Sequence, residues 1–390
     1  MKAHRIKLLH VVGDSSFGGA ARIILRLAEM AKGEGWQVDI LTSDPAFQRA
    51  AQRQGVGTIG VDVIRRDIRP LWDLGGLIRL YSLLQRERYL LVHTHTSKAG
   101  FVGRLAARLA RVPITIHTCH GFAFHERSPR RKRLFYSAME RAASRWCDRV
   151  VSVSEFHWRW ARELAICADG KMIAIPNGIT RQPVHSPTAR ADLRRQWGTP
   201  HSDVIILSAG RLASEKGLEY LIQAASILRG TGLGFRVVIA GDGPLRTQLE
   251  NLARTLGVTD HVIFLGHRED MGDLLAACDL VVLPSLREGL SIALLEAMAA
   301  GKPIVATSIG SNSAVAAHAD LAVLVPPCDP RALAHAILQC GRDPELRCKL
   351  GANARLVFES RYTEKTMLDS YRRLYVELVN AKWPVGATPI

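Results

Sequence analysis

The sequence predicts an α/β protein built from two Rossmann-like domains in tandem. Short β-rich runs alternate with amphipathic helical segments, stop in a proline-containing stretch after Pro176, and start again near Val204. A chain of 390 residues is also long enough to form two cores. Because successive βαβ units form parallel sheets, we expect helices on both faces of each sheet.

The predicted strands set the expected domain limits. They cover residues 6–12, 38–42, 90–94, 114–118 and 150–153 in the first series, and residues 204–208, 236–240, 262–265, 280–283, 303–306 and 322–325 in the second. We therefore expect a first domain over residues 1–180, a linker over 181–200, a second domain over 201–362, and a C-terminal helix with a tail over 363–390.

Composition argues against several classes of protein. With 47% hydrophobic and 23% charged residues, the chain is typical of a packed globular protein. No uncharged apolar run reaches about 18 residues and no signal-peptide pattern is present, so a cytoplasmic protein is expected. The seven cysteines are scattered and never spaced as Cys-x-x-Cys, so neither a disulfide framework nor a zinc site is predicted.

The positive charge is concentrated in the first half of the chain. Residues 1–180 hold 29 Lys and Arg against 15 Asp and Glu, whereas residues 181–390 hold 23 against 21. Such a field favours a polyanionic partner, either nucleic acid or an anionic lipid surface. The four basic residues Arg130, Arg131, Lys132 and Arg133 begin an amphipathic pattern that is typical of membrane-surface helices, although a solvated charged helix face would look the same.

Two loops that follow predicted strands are suited to a diphosphate, because open parallel sheets bind ligands at the carboxyl ends of their strands. Gly18 and Gly19 open the first helix, where backbone N–H groups can approach an anion, although a tight turn without a ligand is equally consistent. Arg211 and Lys216 lie in the loop after the strand that begins at Val204. Two cations suit a pyrophosphate, and solvated surface charges are the alternative.

A third loop carries a pair of acids. Glu288 lies between a predicted strand and a helix, and Glu296 follows eight residues later, just over two helical turns away. Both carboxylates can therefore face one crevice and accept sugar hydroxyls. Alternatively, Glu288 only complements the helix dipole and Glu296 is a buried charge that needs a partner.

Taken together, these motifs resemble the large retaining glycosyltransferase family four. The resemblance rests on Gly210-Arg211 with Lys216-Gly217, Gly241-Asp242-Gly243-Pro244, the Glu288 and Glu296 pair, and Pro176-Asn177-Gly178-Ile179, and it runs over nearly the whole chain. It implies a GT-B fold with two Rossmann-like domains facing across a cleft, an acceptor-binding first domain, a nucleotide-sugar-binding second domain, and a C-terminal helix that crosses back to the first domain.

The resemblance also implies residue roles. Arg211 and Lys216 would bind the donor diphosphate, Glu296 the ribose and Glu288 the transferred sugar. The donor set would further include Gly18, Gly19, Gly289, Leu290 and Ser291. The catalytic set would be His120, preferred over His117, with Arg211, Lys216 and Glu288. One departure is that Ala314 stands where the family commonly has a glutamate.

No cofactor or metal is expected. The chain contains no Asp-x-Asp motif, and although His93 and His95 share a strand face, the sequence indicates no third metal ligand. Lys98, at the start of the next helix, is instead a candidate for an acceptor phosphate, together with the basic residues at 130–133.

Two segments, residues 93–100 and 127–146, resemble the subgroup of this family that makes surface polysaccharides and lipid-linked glycans. The resemblance implies a hexosyltransferase that uses a UDP- or GDP-type sugar and a lipid-linked glycan, lipopolysaccharide or exopolysaccharide precursor at the inner face of the cell membrane. Two alternatives stay open from the sequence. A sugar-nucleotide epimerase would share the architecture, and a nucleic-acid-binding protein would explain the basic half. The second is disfavoured because no binding module and no interleaved aromatic residues are present, so no nucleic-acid partner is predicted.

Overall fold

A computed structural model describes residues 6–13, 18–60, 70–200 and 202–383 of the protein. The chain divides into two compact units. Unit 1 comprises Met1–Gly178 with Glu364–Ile390, and unit 2 comprises Ile179–Thr363.

Unit 1 contains a seven-stranded parallel sheet in the order β3-β2-β1-β4-β5-β6-β7. Its strands are largely buried apolar runs, as expected of a sheet covered on both faces. The strand order reverses between β1 and β4, which is where such sheets bind ligands. The strands are β1 Lys7–Gly13, β2 Gln37–Thr42, β3 Gly57–Ile59, β4 Leu91–His95, β5 Ile114–Cys119, β6 Arg149–Ser152 and β7 Met172–Ala174.

The helices of unit 1 form two layers on its sheet. Helix α4 packs against both α3 and α5, and α15 packs against α1 and β5. The helices are α1 Gly19–Gly33, α2 Pro45–Arg53, α3 Pro70–Glu87, α4 Ser97–Leu109, α5 Arg130–Ser144, α6 Glu155–Glu163 and α15 Glu364–Lys382. The C-terminal helix α15 therefore returns to the first sheet, as the resemblance implies.

Unit 2 contains a six-stranded parallel sheet in the order β10-β9-β8-β11-β12-β13. Its order reverses between β8 and β11. The strands are β8 Val204–Ala209, β9 Phe235–Ala240, β10 Val262–Gly266, β11 Leu280–Leu283, β12 Ile304–Thr307 and β13 Ala322–Val325. The helices are α7 Ala189–Gln196, α8 Leu218–Leu228, α9 Arg246–Thr255, α10 Met271–Ala277, α11 Ile292–Ala299, α12 Gly310–Ala316, α13 Pro330–Arg342 and α14 Pro344–Arg361.

The segment expected to be a linker is partly ordered. Helix α7 lies within residues 181–200, belongs to unit 2 and packs against α10. Leu193 and Trp197 are buried, and Arg194 donates to Asp279 over 2.9 Å. The loop-like interpretation is therefore wrong for residues 189–196, because the flanking prolines hide a short helix that is held by burial and an ion pair.

None of the seven cysteines, all within the described residues, forms a disulfide. Among the described helices we find none that combines the length and the apolar character required of a membrane span.

A buried ion pair between α4 and α5 provides a stability test for unit 1. The side chain of Arg104 is only 1% exposed, and its Nη2 donates to Glu140 Oε2 over 2.8 Å. Replacing Glu140 by Ala leaves the guanidinium buried without its counter-charge, so unfolding should become easier by about 3–5 kcal/mol. Differential scanning calorimetry should then show the unit 1 transition lowered by about 10 °C.

The exposed pair of Arg149 and Glu377 is the matched control. Its atoms lie 3.0 Å apart, but Glu377 is 60% exposed. Because water screens such a pair, Glu377→Ala should cost no more than about 1 kcal/mol. Equal decreases in the unfolding temperature for Glu140→Ala and Glu377→Ala would show that leaving the buried Arg104 without its counter-charge costs no more than breaking an exposed ion pair.

Candidate active site

Three loops of unit 2 pack backbone against backbone at the carboxyl ends of β8, β9 and β11. A β-carbon on Gly241 would lie 1.9 Å from the carbonyl oxygen of Gly210. Gly217 has a φ of +59°, and its β-carbon would lie 2.3 Å from the carbonyl oxygen of Pro284. Only glycine allows these approaches, so the glycines of the two motifs hold the loops together.

This packing brings two of the predicted residues into direct contact. Lys216 Nζ lies 2.6 Å from Glu288 Oε1, and Ser285 Oγ donates to the same oxygen over 2.9 Å. Both charged side chains are partly buried, which reduces the screening of the pair by salt. Arg211 lies in the same loop as Lys216; its side chain is exposed and forms no ion pair with any described residue. The loop therefore presents one cation that is paired with an acid and one that faces solvent.

Helix α11 follows this contact and begins at Ile292. Ser291 caps the helix by accepting from Leu294 N over 3.4 Å, and Leu290 is buried beside it while Gly289 is half-buried. Glu296 is buried, with 6% of its surface exposed. Its side chain therefore lies on a buried face of the helix and not on an exposed one.

The first turn of helix α12 carries neutral polar side chains. The Asn312 side-chain amide donates to the Thr307 carbonyl over 3.0 Å and ties the helix to the end of β12. The other atoms, Ser311 Oγ and Asn312 Oδ1, are buried and have no hydrogen-bond partner among the described residues. Ala314, which stands where the glutamate is expected, follows two residues after Asn312 on α12.

In unit 1, buried histidines meet at the carboxyl ends of β1, β4 and β5. His10 Nδ1 lies 3.0 Å from His95 Nε2, and His95 Nδ1 lies 3.2 Å from His120 Nε2. The sequence indicates no third metal ligand for His93 and His95, whereas the structure brings His10 close to both. His10 pairs with His93 in the parallel register of β1 and β4, and ligand nitrogens of His10, His93 and His95 all lie within 4.8 Å of one another.

Hydroxyl groups hold His93 on both sides. Its Nδ1 lies 2.7 Å from Tyr375 Oη and its Nε2 lies 2.7 Å from Thr118 Oγ1. Thr118 Oγ1 also lies 3.1 Å from Tyr371 Oη. Since both tyrosines belong to α15, the returning helix is bonded directly to the histidine cluster.

Burial keeps these imidazoles neutral at pH 7. Desolvation lowers the pKa of His10 to about 3 and that of His120 to about 4. It also lowers the pKa values of His93, His95 and His117 well below the ordinary value, with smaller contributions from neighbouring charges.

The structure shows different surroundings for His117 and His120, the two histidines that the sequence offers as candidates. His117 is buried, and its Nδ1 lies 3.0 Å from Thr94 Oγ1. A β-carbon on Gly100 would lie 2.3 Å from its ring, so helix α4 covers it closely. His120 instead follows β5 and is only half-buried. Its Nδ1 is buried and has no partner among the described residues, which favours His120 over His117 as a ligand-binding group.

The remaining predicted residues lie elsewhere in unit 1. Gly18 is exposed and is the N-cap residue of α1, and Gly19 is the first residue of that helix. Residues 14–17 of the same loop lie outside the described part of the chain. Lys98 Nζ lies 2.6 Å from Asp73 Oδ1 on α3, so an acceptor phosphate would have to compete with this carboxylate.

The basic residues occupy the first turn of α5. Arg130, Arg131 and Lys132 are exposed and Arg133 is half-buried. The next two residues, Leu134 and Phe135, are 60% and 58% exposed. Charged and apolar groups therefore face solvent together at this helix start.

The sequence did not reveal a second exposed apolar surface on α3. It consists of the five side chains Leu71, Trp72, Leu74, Ile78 and Tyr81, which are between 38% and 86% exposed. Because α4 packs against both α3 and α5, this surface lies in the same helical layer as the basic turn of α5. The sequence did contain a signal, because these five positions of the helix are all uncharged. An amphipathic helix normally places its apolar side chains toward the core, so an exposed apolar set indicates an interaction surface.

Comparison with known proteins places the chain in a family. Residues 17–182 match the model for Glycosyltransferase Family 4, and residues 189–357 match the model for Glycosyl transferases group 1. The UDP-Gal:alpha-D-GlcNAc-diphosphoundecaprenol alpha-1,3-galactosyltransferase of Escherichia coli is 29% identical over 380 residues, which are 96% of this chain and 98% of that protein. EpsD of Bacillus subtilis, named as a glycosyltransferase, is 32% identical over 316 residues, which are 79% of this chain and 83% of EpsD.

Solved structures show the same fold. HepE from Anabaena in complex with UDP-glucose superposes with a TM-score of 0.79 at 22% identity and covers 96% of this chain and 100% of its own. WaaG, a glycosyltransferase involved in lipopolysaccharide biosynthesis, superposes with a TM-score of 0.75 at 19% identity, covering 95% of this chain and 99% of its own. The chain belongs to the family 4, group 1 glycosyltransferases, and the GT-B fold class is confirmed.

The buried histidines predict a loss of stability in acid. Their pKa values are lower in the folded than in the unfolded chain, so the unfolded state binds more protons below about pH 6.5. The stability they contribute is present above that pH and is lost as the pH falls toward about 4. Each histidine can change the unfolding equilibrium constant by at most about tenfold per pH unit.

The measurement is the unit 1 unfolding temperature between pH 7 and pH 4. His117→Asn, which removes one buried imidazole, should give a shallower decline than the wild type. His335→Asn removes an exposed imidazole of unit 2 and should leave the decline unchanged. A pH-independent unfolding temperature would contradict the lowered pKa values of these five histidines.

Proposed function

We propose that this chain is a retaining hexosyltransferase that moves a sugar from a UDP- or GDP-type donor to a lipid-linked or polysaccharide-precursor acceptor at a membrane. The contact of Lys216 with Glu288 carries the proposal, because it joins a cation and a sugar-binding acid at the switch point of the unit 2 sheet. The name of the Escherichia coli relative specifies a UDP-galactose donor and a diphosphoundecaprenol-linked acceptor, and the HepE structure contains UDP-glucose.

Each group of the unit 2 loops has a part in the reaction. Arg211 and Lys216 bind the diphosphate and stabilise the negative charge that develops as it departs. Glu288 Oε1 is held by Lys216 and Ser285, which leaves Oε2 to accept a hydroxyl of the transferred sugar. Glu296 binds the ribose, and the N–H groups at the start of α11, after Ser291, face the diphosphate.

The transfer occurs on one face of the sugar. The bond between the anomeric carbon and the phosphate oxygen breaks, and the bond to the acceptor oxygen forms from the same side. The departing phosphate oxygen takes the acceptor proton, so no side-chain nucleophile is required and the anomeric configuration is retained. His120 in unit 1 contributes a hydrogen bond to the donor sugar.

A membrane-held acceptor would explain why unit 1 exposes cations and apolar side chains together. The exposed cations of α5 stand beside Leu134 and Phe135, and α3 adds a second exposed apolar surface in the same layer. Cations attract anionic headgroups while apolar side chains enter the interface, which together give reversible binding.

Lys216→Ala tests the diphosphate site. Removing one charge-stabilising group should lower kcat about 100-fold, because the cation acts on charge that develops during the reaction. The assay follows product formation with the nucleotide sugar that most raises the unfolding temperature in a panel of UDP- and GDP-sugars.

Lys349→Ala is the control, since Lys349 is an exposed lysine on α14 of unit 2. It should keep full turnover. If Lys216→Ala turns over at nearly the wild-type rate with the same donor, Lys216 has no part in stabilising the leaving group.

Replacing Arg130, Arg131 and Lys132 by Ala tests the membrane surface. At about 1 kcal/mol for each cation, the triple variant should bind vesicles that contain anionic phosphatidylglycerol about 100-fold more weakly. Co-sedimentation at low and high salt provides the measurement, because electrostatic binding weakens as salt rises.

A variant with the same change in net charge controls for the overall field. Lys349, Arg355 and Arg361 are exposed on α14, and their replacement by Ala should leave vesicle binding nearly unchanged. Equal losses for the two triple variants would remove α5 as the binding surface.

A further inference from the structure

The loop that carries Glu288 is bonded to the end of the neighbouring strand β12. Thr307, the last residue of β12, has its hydroxyl oxygen 2.5 Å from the carbonyl oxygen of Ser285 and 3.5 Å from that of Leu283. A hydroxyl has one proton to donate, so the shorter contact to Ser285 is the hydrogen bond. The Ser285 side chain in turn donates to Glu288 Oε1 over 2.9 Å. Thr307 therefore bonds to the residue that holds the acid.

Helix α12 fixes Thr307 from the other side. The Asn312 amide donates to the Thr307 carbonyl over 3.0 Å. Ser285, Thr307 and Asn312 are all buried, with 2–3% of their surfaces exposed. Water cannot replace a hydrogen bond at this depth, so losing one would leave a buried polar group unsatisfied. A continuous set of buried hydrogen bonds thus runs from α12 through the end of β12 to Glu288.

Lys216 also contacts Glu288, but the ligand proposed for this site competes for the lysine. Its ammonium lies 2.6 Å from Glu288 Oε1. A diphosphate brings several negative charges to the same lysine, whose flexible stem lets the ammonium turn toward them. The hydroxyl of Ser285 is neutral and buried, so it has no comparable attraction to a phosphate. In the loaded site, the position of Glu288 would therefore depend on Ser285 more than on Lys216.

A bond to Oε1 determines where the other carboxylate oxygen of Glu288 points. The last torsion of a glutamate side chain has broad minima, so an unbonded carboxylate would turn freely. Oε2 makes no hydrogen bond with any described residue and is not among the unpaired side-chain atoms that are shut off from solvent. It is therefore the oxygen that can accept a sugar hydroxyl. Its direction follows from the contact between Oε1 and Ser285.

We propose that Ser285 and Thr307 are positioning residues for the donor sugar. Ser285 fixes the carboxylate of Glu288, and Thr307, which Asn312 ties to α12, fixes Ser285. The proposal rests on the donor-sugar role proposed above for Glu288. It makes β12 and α12 part of the sugar site through hydrogen bonds and without direct contact. Binding of the sugar should then depend on two buried hydroxyl groups that binding of the nucleotide does not need.

Isothermal titration calorimetry of the full chain tests this dependence without an acceptor. The probes are the nucleotide sugar that most raises the wild-type unfolding temperature and the same nucleoside diphosphate without its sugar. Ser285→Ala should weaken binding of the nucleotide sugar about 10-fold, the loss expected when a hydrogen bond to a charged group is removed. Thr307→Val should weaken it about 3-fold, because the hydroxyl of Ser285 stays but is held less firmly. Neither change should alter the affinity for the nucleoside diphosphate.

The double variant tests whether Thr307 acts through Ser285. Ser285→Ala removes the hydroxyl that holds Glu288 but keeps the carbonyl to which Thr307 donates. If Thr307 acts only by fixing the Ser285 hydroxyl, adding Thr307→Val to Ser285→Ala should weaken binding of the nucleotide sugar no further. Losses that add up in the double variant would reject this role of Thr307.

Two control variants accompany this cycle. Thr307→Ser keeps the hydroxyl and should recover most of the wild-type affinity for the nucleotide sugar. Thr231, which precedes β9 at the opposite end of the sheet, donates to the Leu228 carbonyl over 2.7 Å. Thr231→Val removes the same kind of bond away from the site and should leave both affinities unchanged. Circular dichroism shows whether each variant is folded, and Thr307→Ala replaces Thr307→Val in the cycle if the valine variant does not fold.

The outcomes separate the positioning role from the function on which it rests. A wild type that binds the nucleotide sugar with the same affinity as Ser285→Ala rejects the positioning role alone and leaves Lys216 as the group that holds Glu288. Equal losses of affinity for the nucleotide sugar and the nucleoside diphosphate would show that these bonds only stabilise unit 2. A wild type that binds none of the UDP- or GDP-sugars rejects the proposed donor site, and the role of Ser285 with it.

Discussion

Backbone contact between loops determines where the charges of the candidate site lie in unit 2. Gly217 adopts a left-handed conformation against Pro284, and Leu286 N donates to Glu215 O over 2.8 Å. These contacts fix the start of α8 beside the loop that leads to α11. Lys216 and Glu288 therefore meet through main-chain geometry before their own attraction contributes. Since a β-carbon at Gly217 would collide with a carbonyl oxygen, this arrangement depends on glycine more than on the charges themselves.

Most strands of the two sheets could be predicted, because a parallel strand that is buried on both faces appears in the sequence as a continuous apolar run. The strands that sequence reasoning missed are β3 and β7, which span only Gly57–Ile59 and Met172–Ala174. Three residues are too few to show a hydrophobic period, and both strands lie at sheet edges, where burial is weaker. Helix α7 was missed for a related reason, since eight residues between prolines show little periodicity until their packing on α10 is known.

The candidate-site residues that lie in loops could be predicted from the sequence. Those that come together only through the pairing of distant strands could not. Lys216 and Glu288 were found because glycine-rich and acidic loops follow strands in a recognisable order. His10 was not found, because a single histidine in an apolar strand is usually a core residue. Its position beside His93 depends on β1 pairing with β4, a strand that follows some 80 residues later. Sequence spacing carries no information on such a neighbour.

The two halves of the chain differ in net charge and therefore in how they can attract an anion. Residues 181–390 are nearly balanced, with 23 basic and 21 acidic residues, so the diphosphate binding proposed for this half would depend on a few placed groups such as Lys216. Residues 1–180 carry 29 basic against 15 acidic residues, which gives a long-range field of the kind that draws a protein to an anionic surface. Placed charges keep much of their effect in salt because they are partly buried, whereas a surface field is screened within about 10 Å at 0.1 M. The proposed attraction to an anionic surface and the proposed recognition of a nucleotide sugar therefore depend on different physical terms, and a change in ionic strength should act mainly on the first.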